Sequence, residues 1–147
     1  MVDIIHRIGI NGASPEKVYE ALTTISGLAG WWTLDTKGSA ELGRVIEFRF
    51  LPGGIDMKVA ELKAAERVGW EVADGPPEWT GTTVNFDIRQ AGDFTIVLFS
   101  HVGWKEAGEF MAHCSTKWAI FLMSLKSLVE TGTGQPAPRD TQISDWH

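Results

Sequence analysis

The segment from Glu109 to Glu130, EFMAHCSTKWAIFLMSLKSLVE, contains neither glycine nor proline and carries apolar side chains at helical spacing. Phe110, Cys114, Trp118, Phe121, Leu122, Leu125 and Val129 recur at steps of three and four and so share one side of a helix, while Lys117, Ser124, Lys126 and Glu130 fall toward a wetter side. Gly132 and Gly134 end the pattern. At ~1.5 Å per residue such a helix is about 33 Å long, enough to cross a small domain. A stripe of that length demands an apolar partner, which the rest of the chain has to supply.

Most of the preceding chain has a period of two. Asp3 to Ile10 alternates, with Ile4, His6, Ile8 and Ile10 on one side, and predicts a first strand. Ser14 followed by Pro15, Glu16 and Lys17 reads as a helix start, with Val18, Tyr19, Ala21, Leu22 and Ile25 as its apolar side. Gly27 is expected to break it. A second short helical turn over Leu28 to Trp32 brings Trp31 and Trp32 to the domain edge, in different environments.

Alternation then predicts strands over Arg44 to Leu51, Ile55 to Lys63, a stretch around Val68, Trp70 and Val72, Thr80 to Arg89, and Phe94 to Val102. Pro52-Gly53-Gly54, Ala64-Ala65-Glu66, Gly75-Pro76-Pro77 and Gly92-Asp93 are the turns between them. The last strand is almost wholly apolar, so its pattern alone leaves open whether Val97 and Phe99 or Ile96 and Leu98 face inward. Short connections favour antiparallel pairing, and a sheet with its long helix at the end is an α+β arrangement. The expected organisation is one domain over residues 1–132 and an extended Gly- and Pro-rich tail over 133–147. Ile143 and Trp146 suit docking of that tail on its own surface or against a second subunit.

An excess of 19 acidic over 13 basic residues in a chain of 147 disfavours nucleic acid and anionic membranes as partners. No stretch has the length of a membrane span, and MVDIIHRIGI lacks the layout of a signal peptide, so a cytoplasmic location and no membrane insertion are expected. The single cysteine excludes an internal disulfide. His113 and Cys114 point about 100° apart on a helix and have no second ligand pair, so neither a metal nor any other cofactor is expected. The glycine pairs lack the strand, loop and lysine of a phosphate cradle. Trp31, Trp32, Trp79 and Trp104 either line a cavity mouth or close the end of the core.

Residues 8–32, IGINGASPEKVYEALTTISGLAGWW, resemble the opening of the activator-of-heat-shock-protein-ATPase-like (AHSA) branch of the SRPBCC, or START-like (Bet v 1-like), superfamily. His101-Val102-Gly103-Trp104 resembles that branch's strand exit, and Trp118 with FLMSLKSLVETGTGQP its final helix and glycine-rich step. GRVIEFRF, VAELKAAERVGWEV and GTTVNFDI extend the likeness over nearly the whole chain. The resemblance implies a helix-grip fold: a curved antiparallel sheet of about six to seven strands, two short helices, and a long C-terminal helix over an elongated cavity. Its strand phase turns Ile46, Phe48, Phe50, Met57, Val59, Val68, Trp70, Val84, Phe86, Val97, Phe99 and His101 toward Phe110, Cys114, Trp118 and Phe121.

Ligand contacts are accordingly expected from Trp32, Phe48, Phe50, Met57, Trp70, Phe86, Phe99, His101, Trp104, Phe110, Cys114 and Trp118. The first functional expectation is binding of a hydrophobic, lipid-like or aromatic small molecule between sheet and helix. A second is a polyketide cyclase or aromatase type of enzyme with His101 in acid–base work, aided by Glu47, Arg49 or Glu61 only if one of them points inward. A third, implied by the branch, is an interaction domain associated with an Hsp90-type chaperone. A homodimer formed through the aromatic surface or the tail is compatible with each. No catalytic residue is transferred by the resemblance, because superfamily membership does not fix function.

Overall fold

The alternating segments pair into one seven-stranded antiparallel sheet, seen in a computed structural model that describes residues 1–147. In chain order the elements are β1 (Val2–Asn11), α1 (Pro15–Thr23), α2 (Ile25–Trp31), β2 (Asp35–Gly38), β3 (Val45–Arg49), β4 (Gly54–Lys63) and β5 (Arg67–Asp74). A single 3₁₀ turn at Pro77–Trp79, β6 (Thr83–Ala91), β7 (Phe94–Trp104) and α3 (Glu109–Thr131) complete them. The strands lie in the order β1-β7-β6-β5-β4-β3-β2, so the first strand joins the last and every other pair is a sequential neighbour. This is the helix-grip arrangement: a curled sheet, two short helices at one end, and α3 laid along the concave side.

Local chemistry accounts for the element ends. Ser14 caps α1 by accepting from the Lys17 N–H at 3.2 Å, with Pro15 at the first helical position. The break between the short helices falls at Thr24, not at the expected Gly27. Thr24 takes extended backbone angles and its hydroxyl accepts from Gly27 N–H at 3.0 Å, so this one residue ends α1 and caps α2 while Gly27 stays helical. α3 ends at Gly132, which adopts φ 88° and donates its N–H to Leu128 O at 2.9 Å. A short strand that alternation had not delimited, β2, pairs with β3 from Asp35↔Arg49 to Gly38↔Ile46.

The free edge of β1 is blunted by α3. Lys126 donates to Gly9 O, Glu130 accepts from Asn11 N–H at 2.7 Å, and His6 Nε2 lies 3.0 Å from Ser115 O. Irregular register within β4, at Asp56/Met57 and Val59/Glu61, lets the sheet bend around the helix. On the solvent side Arg67 bridges Glu61 at 2.7 Å and Asp87 at 2.6 Å, which ties β4, β5 and β6 together.

The concave side is filled by rings. Val97, Phe99 and His101 face inward while Leu98 is exposed, which resolves the phase of β7. Trp31 and Trp32, expected in different environments at the domain edge, are both buried and stack on each other at 5.9 Å. The last residue of α2 and its C-cap therefore both enter the core. Trp31 anchors the helix through an indole hydrogen bond to Ala21 O at 3.0 Å. Trp32, 2% exposed, then meets Phe48 at 4.2 Å, Trp118 at 4.9 Å, Phe50 at 5.9 Å, Trp70 at 6.0 Å and Phe121 at 6.4 Å. Replacing Trp32 by Ala removes a ring with six aromatic neighbours and should lower unfolding free energy by about 3–5 kcal/mol. Leu98→Ala, on the solvent side, should change it by no more than about 0.5 kcal/mol. Urea unfolding of both variants measures the contrast.

Candidate functional site

The most conspicuous polar group of the interior is His101, near the exit of β7. Trp118, on α3, donates its indole N–H to His101 Nδ1 at 3.1 Å. A tryptophan can only donate, so Nδ1 is the bare nitrogen and Nε2 carries the proton. Nε2–H then donates to Thr82 Oγ1 at 2.8 Å, and the Thr82 hydroxyl donates to Trp79 O at 2.6 Å. The imidazole is completely shielded from solvent. Burial lowers its pKa to about 3, and it stays neutral over the physiological range. Both ring nitrogens are committed to holding α3, β7 and the segment before β6 together.

Open space lies at the mouth of the grip, where a cleft of about 760 Å³ begins beyond the ring cluster. Its floor is Trp32, Trp79 and Trp118. One wall is the turn between β3 and β4, with Phe50, Leu51 and Ile55, and the opposite wall is the first half of α3, with Phe110, His113, Cys114, Lys117 and Phe121. The far side comes from the tail, through Ala137, Pro138, Asp140, Trp146 and His147.

Of the twelve expected ligand contacts, the structure places Trp32, Phe50, Phe110, Cys114 and Trp118 at this cleft. Phe48, Met57, Trp70, Phe86 and Phe99 lie deeper, among the buried residues of the core. His101 and Trp104 sit behind Trp79, whose ring is 4.6 Å from the imidazole and 6.4 Å from the Trp104 indole. Glu47, Arg49 and Glu61 are engaged in ion pairs: Arg49 with Glu47 at 3.0 Å and Asp56 at 2.7 Å, Glu61 with Arg67. The guanidinium of Arg49 also edges the cleft, and its pKa is raised chiefly by its hydrogen bond to Asp56.

Cleft chemistry comes from three titratable side chains of α3. Burial pushes the Cys114 thiol up to about 11, against a smaller lowering by the neighbouring Trp79 indole, so it is a protonated thiol at neutral pH. The Trp79 N–H itself, like that of Trp104, has no hydrogen-bond partner of ordinary geometry. The pKa of His113 is lowered by burial first and by Lys117 second. Lys117, expected on the wetter side, is instead drawn in and pairs with Asp140. The spacing from His113 to Lys117 to Phe121 carried this signal, since steps of four share a helix face. Asp140 and Trp146 lay outside any periodic pattern, and only the path of the tail brings them here. No group of three or more His, Cys, Asp or Glu side chains is arranged to hold a metal ion. No helix is long and apolar enough to cross a membrane.

Comparison with known proteins places these features in a family. A family model described as "Activator of Hsp90 ATPase homolog 1-like protein" matches residues 12–130. A search of curated proteins gives no match. Among solved structures, the solution structure of the Aha1 dimer from Colwellia psychrerythraea is 50% identical in sequence, covers 91% of this chain and 100% of its own, and superposes with a TM-score of 0.84. Protein SSP2350 from Staphylococcus saprophyticus (16% identity, 92% of this chain and 98% of that one, TM-score 0.75) is similar in fold alone. So is protein BH1534 from Bacillus halodurans (22% identity, 88% and 98%, TM-score 0.72).

The His101 relay has a consequence for acid stability. Unfolded, the imidazole takes a proton near its ordinary value of 6.5, whereas in the fold it resists until about 3. The unfolded state therefore binds more protons between these limits, so stability is full above pH 6.5 and falls as pH drops toward 3, by roughly 5 kcal/mol if the whole shift is realised. Chemical denaturation from pH 7.5 to 3.5 should show this limb, and the non-titrating His101→Gln should flatten it.

Proposed function

The chain belongs to the family of Activator of Hsp90 ATPase homolog 1-like proteins, and from that premise we propose that it is an interaction domain that docks on an Hsp90-type chaperone through the mouth of its grip. Family membership supplies the partner class, and the relative that is 50% identical is described as an Aha1 dimer. The geometry favours a surface contact over an engulfed ligand, and one observation carries that preference. Trp32 and its ring neighbours occupy the interior, leaving an apolar cleft that opens outward. Leu51, 89% exposed at the tip of the β3–β4 turn, offers the cleft's rim an apolar residue that nothing in the fold covers.

A second reading uses the same space. A volume of about 760 Å³ lies within the roughly 300–1,000 Å³ typical of small-molecule pockets, so an amphipathic or aromatic compound is the alternative occupant. A cyclase-like activity in that space would draw on His113, which borders the cleft, since His101 is sealed behind Trp79. Association of two copies, as in the dimeric relative, is compatible with either.

Mixing the purified chain with a purified Hsp90-type chaperone should give a complex by calorimetry and a raised chaperone ATPase rate. Leu51→Asp, at an exposed position, should weaken the complex at least tenfold with the thermal melt unchanged. Absence of association, or wild-type affinity in Leu51→Asp, would refute docking at the cleft. Saturable quenching of tryptophan fluorescence by an aromatic amphiphile without chaperone binding would favour the second reading.

A further inference from the structure

The tail does more than follow the helix. After the left-handed turn at Gly132 it crosses α2 at Gly134, where a Cβ would lie 2.3 Å from Gly30 O, so only glycine permits this passage. Gln135 N–H donates to Ser124 Oγ at 2.7 Å. Ala137 then pairs with the segment that leads into β2, donating to Trp32 O at 2.8 Å and accepting from Leu34 N–H at 3.0 Å. Up to this point the tail is held by backbone and glycine packing.

Beyond it the attachment changes character. Every polar contact between residues 139–147 and the rest of the fold converges on one side chain: Lys117 donates to the Asp140 carboxylate, to Thr141 O at 3.2 Å and to His147 O at 3.4 Å. The remaining polar contacts of those nine residues are made within the tail itself, including Arg139 N–H to Pro136 O and Gln135 Nε2 to Arg139 O. Trp146 adds an edge-to-face contact with His113 at 5.3 Å and stays 49% exposed. One cation and one imidazole thus latch the segment over the cleft.

The latch also defines what can replace it. The Lys117 side chain is 15% exposed, its Asp140 partner 2%, and the ammonium lies 5.2 Å from the centre of the Phe121 ring. An occupant that covers Lys117 as the tail does, without a counter-ion, would leave a largely buried cation unpaired, so one that takes the tail's place is favoured when it brings a carboxylate. Around Lys117 the cleft side chains Phe110, Trp118, Phe121 and Trp146 are aromatic and suit an aromatic side chain of the occupant.

We propose that the cleft is a docking site for an extended peptide segment of a partner protein that carries a carboxylate and an aromatic side chain, and that residues 139–147 are its tethered competitor. The carboxylate pairs with Lys117 in place of Asp140, and the aromatic side chain lies on His113 in place of Trp146. Because the competitor is covalently attached, it acts at a local concentration on the order of millimolar, and a free segment must exceed that or bind better. The inference rests on the cleft as a partner surface but not on which partner uses it.

The probe is a fluorescein-labelled synthetic peptide of this chain's residues 136–147, added to full-length protein and followed by anisotropy. It should bind Asp140→Ala/Trp146→Ala at least tenfold more tightly than wild type, and Lys117→Met added to that background should abolish the gain. Trp146→Ala alone, at a half-exposed position that leaves the ion pair in place, should give a smaller gain in the same direction. Equal binding to wild type and to both variants, or binding to none, would overturn the proposal. So would a wild-type dimer that dissociates in the double variant, which would make a second copy's tail the occupant. Peptide binding without chaperone association defeats only the preceding reading, and the converse defeats only this one.

Discussion

The fold depends on one packing constraint: the concave side of a curled sheet and the stripe of a long helix have to be filled between them, and six aromatic rings around Trp32 do it. Trp32 comes from neither surface. It sits at the C-cap of α2, so the core beneath the helix stripe is complete only with the two short helices in place. Thr24 ends one helix and caps the next, so the helix that carries Trp31 and leads into Trp32 starts at this residue.

Filling the interior with indoles creates a second constraint, because each brings a donor that burial makes costly to leave unpaired. Trp31 finds Ala21 O and Trp118 finds His101 Nδ1. His101 passes the demand on to Thr82 and then to the backbone of Trp79. The histidine is thus an acceptor supplied to a tryptophan, which accounts for its position, and the burial that comes with that position depresses its pKa. The Trp79 and Trp104 indoles are the two for which the chain provides no acceptor of ordinary geometry, Trp79 having the Cys114 thiol as its neighbour.

Where the rings stop, the chemistry changes from packing to recognition. The cleft has aromatic floors and walls, a thiol kept protonated by burial, and a single lysine whose counter-ion belongs to a segment distant in sequence. The tail is firmly seated as far as Ala137 and only latched beyond it. That division separates a structural strap from a segment attached to the rest of the fold mainly through Lys117 and His113.

The sequence by itself determined the elements and their faces. Ser14 with Pro15, the alternation through Phe48, Trp70 and Phe86, and the stripe from Phe110 to Val129 each report a local signal, and local signals survive without knowledge of the fold, whereas the nearly apolar strand of Phe99 left its phase open. The resemblance of the two chain ends to one family then supplied the architecture. Tertiary structure alone decided which of the inward residues fill space and which border it, since Phe48 and Phe50 have the same phase but different depths. It also decided the fate of Trp31 and Trp32, because the last residue of a helix and its C-cap can both reach one core when other elements close around that helix end. Lys117 and Asp140 met for the same reason: a contact across 23 residues has no period to announce it and exists only once Gly132 and Gly134 have turned the tail back over the cleft.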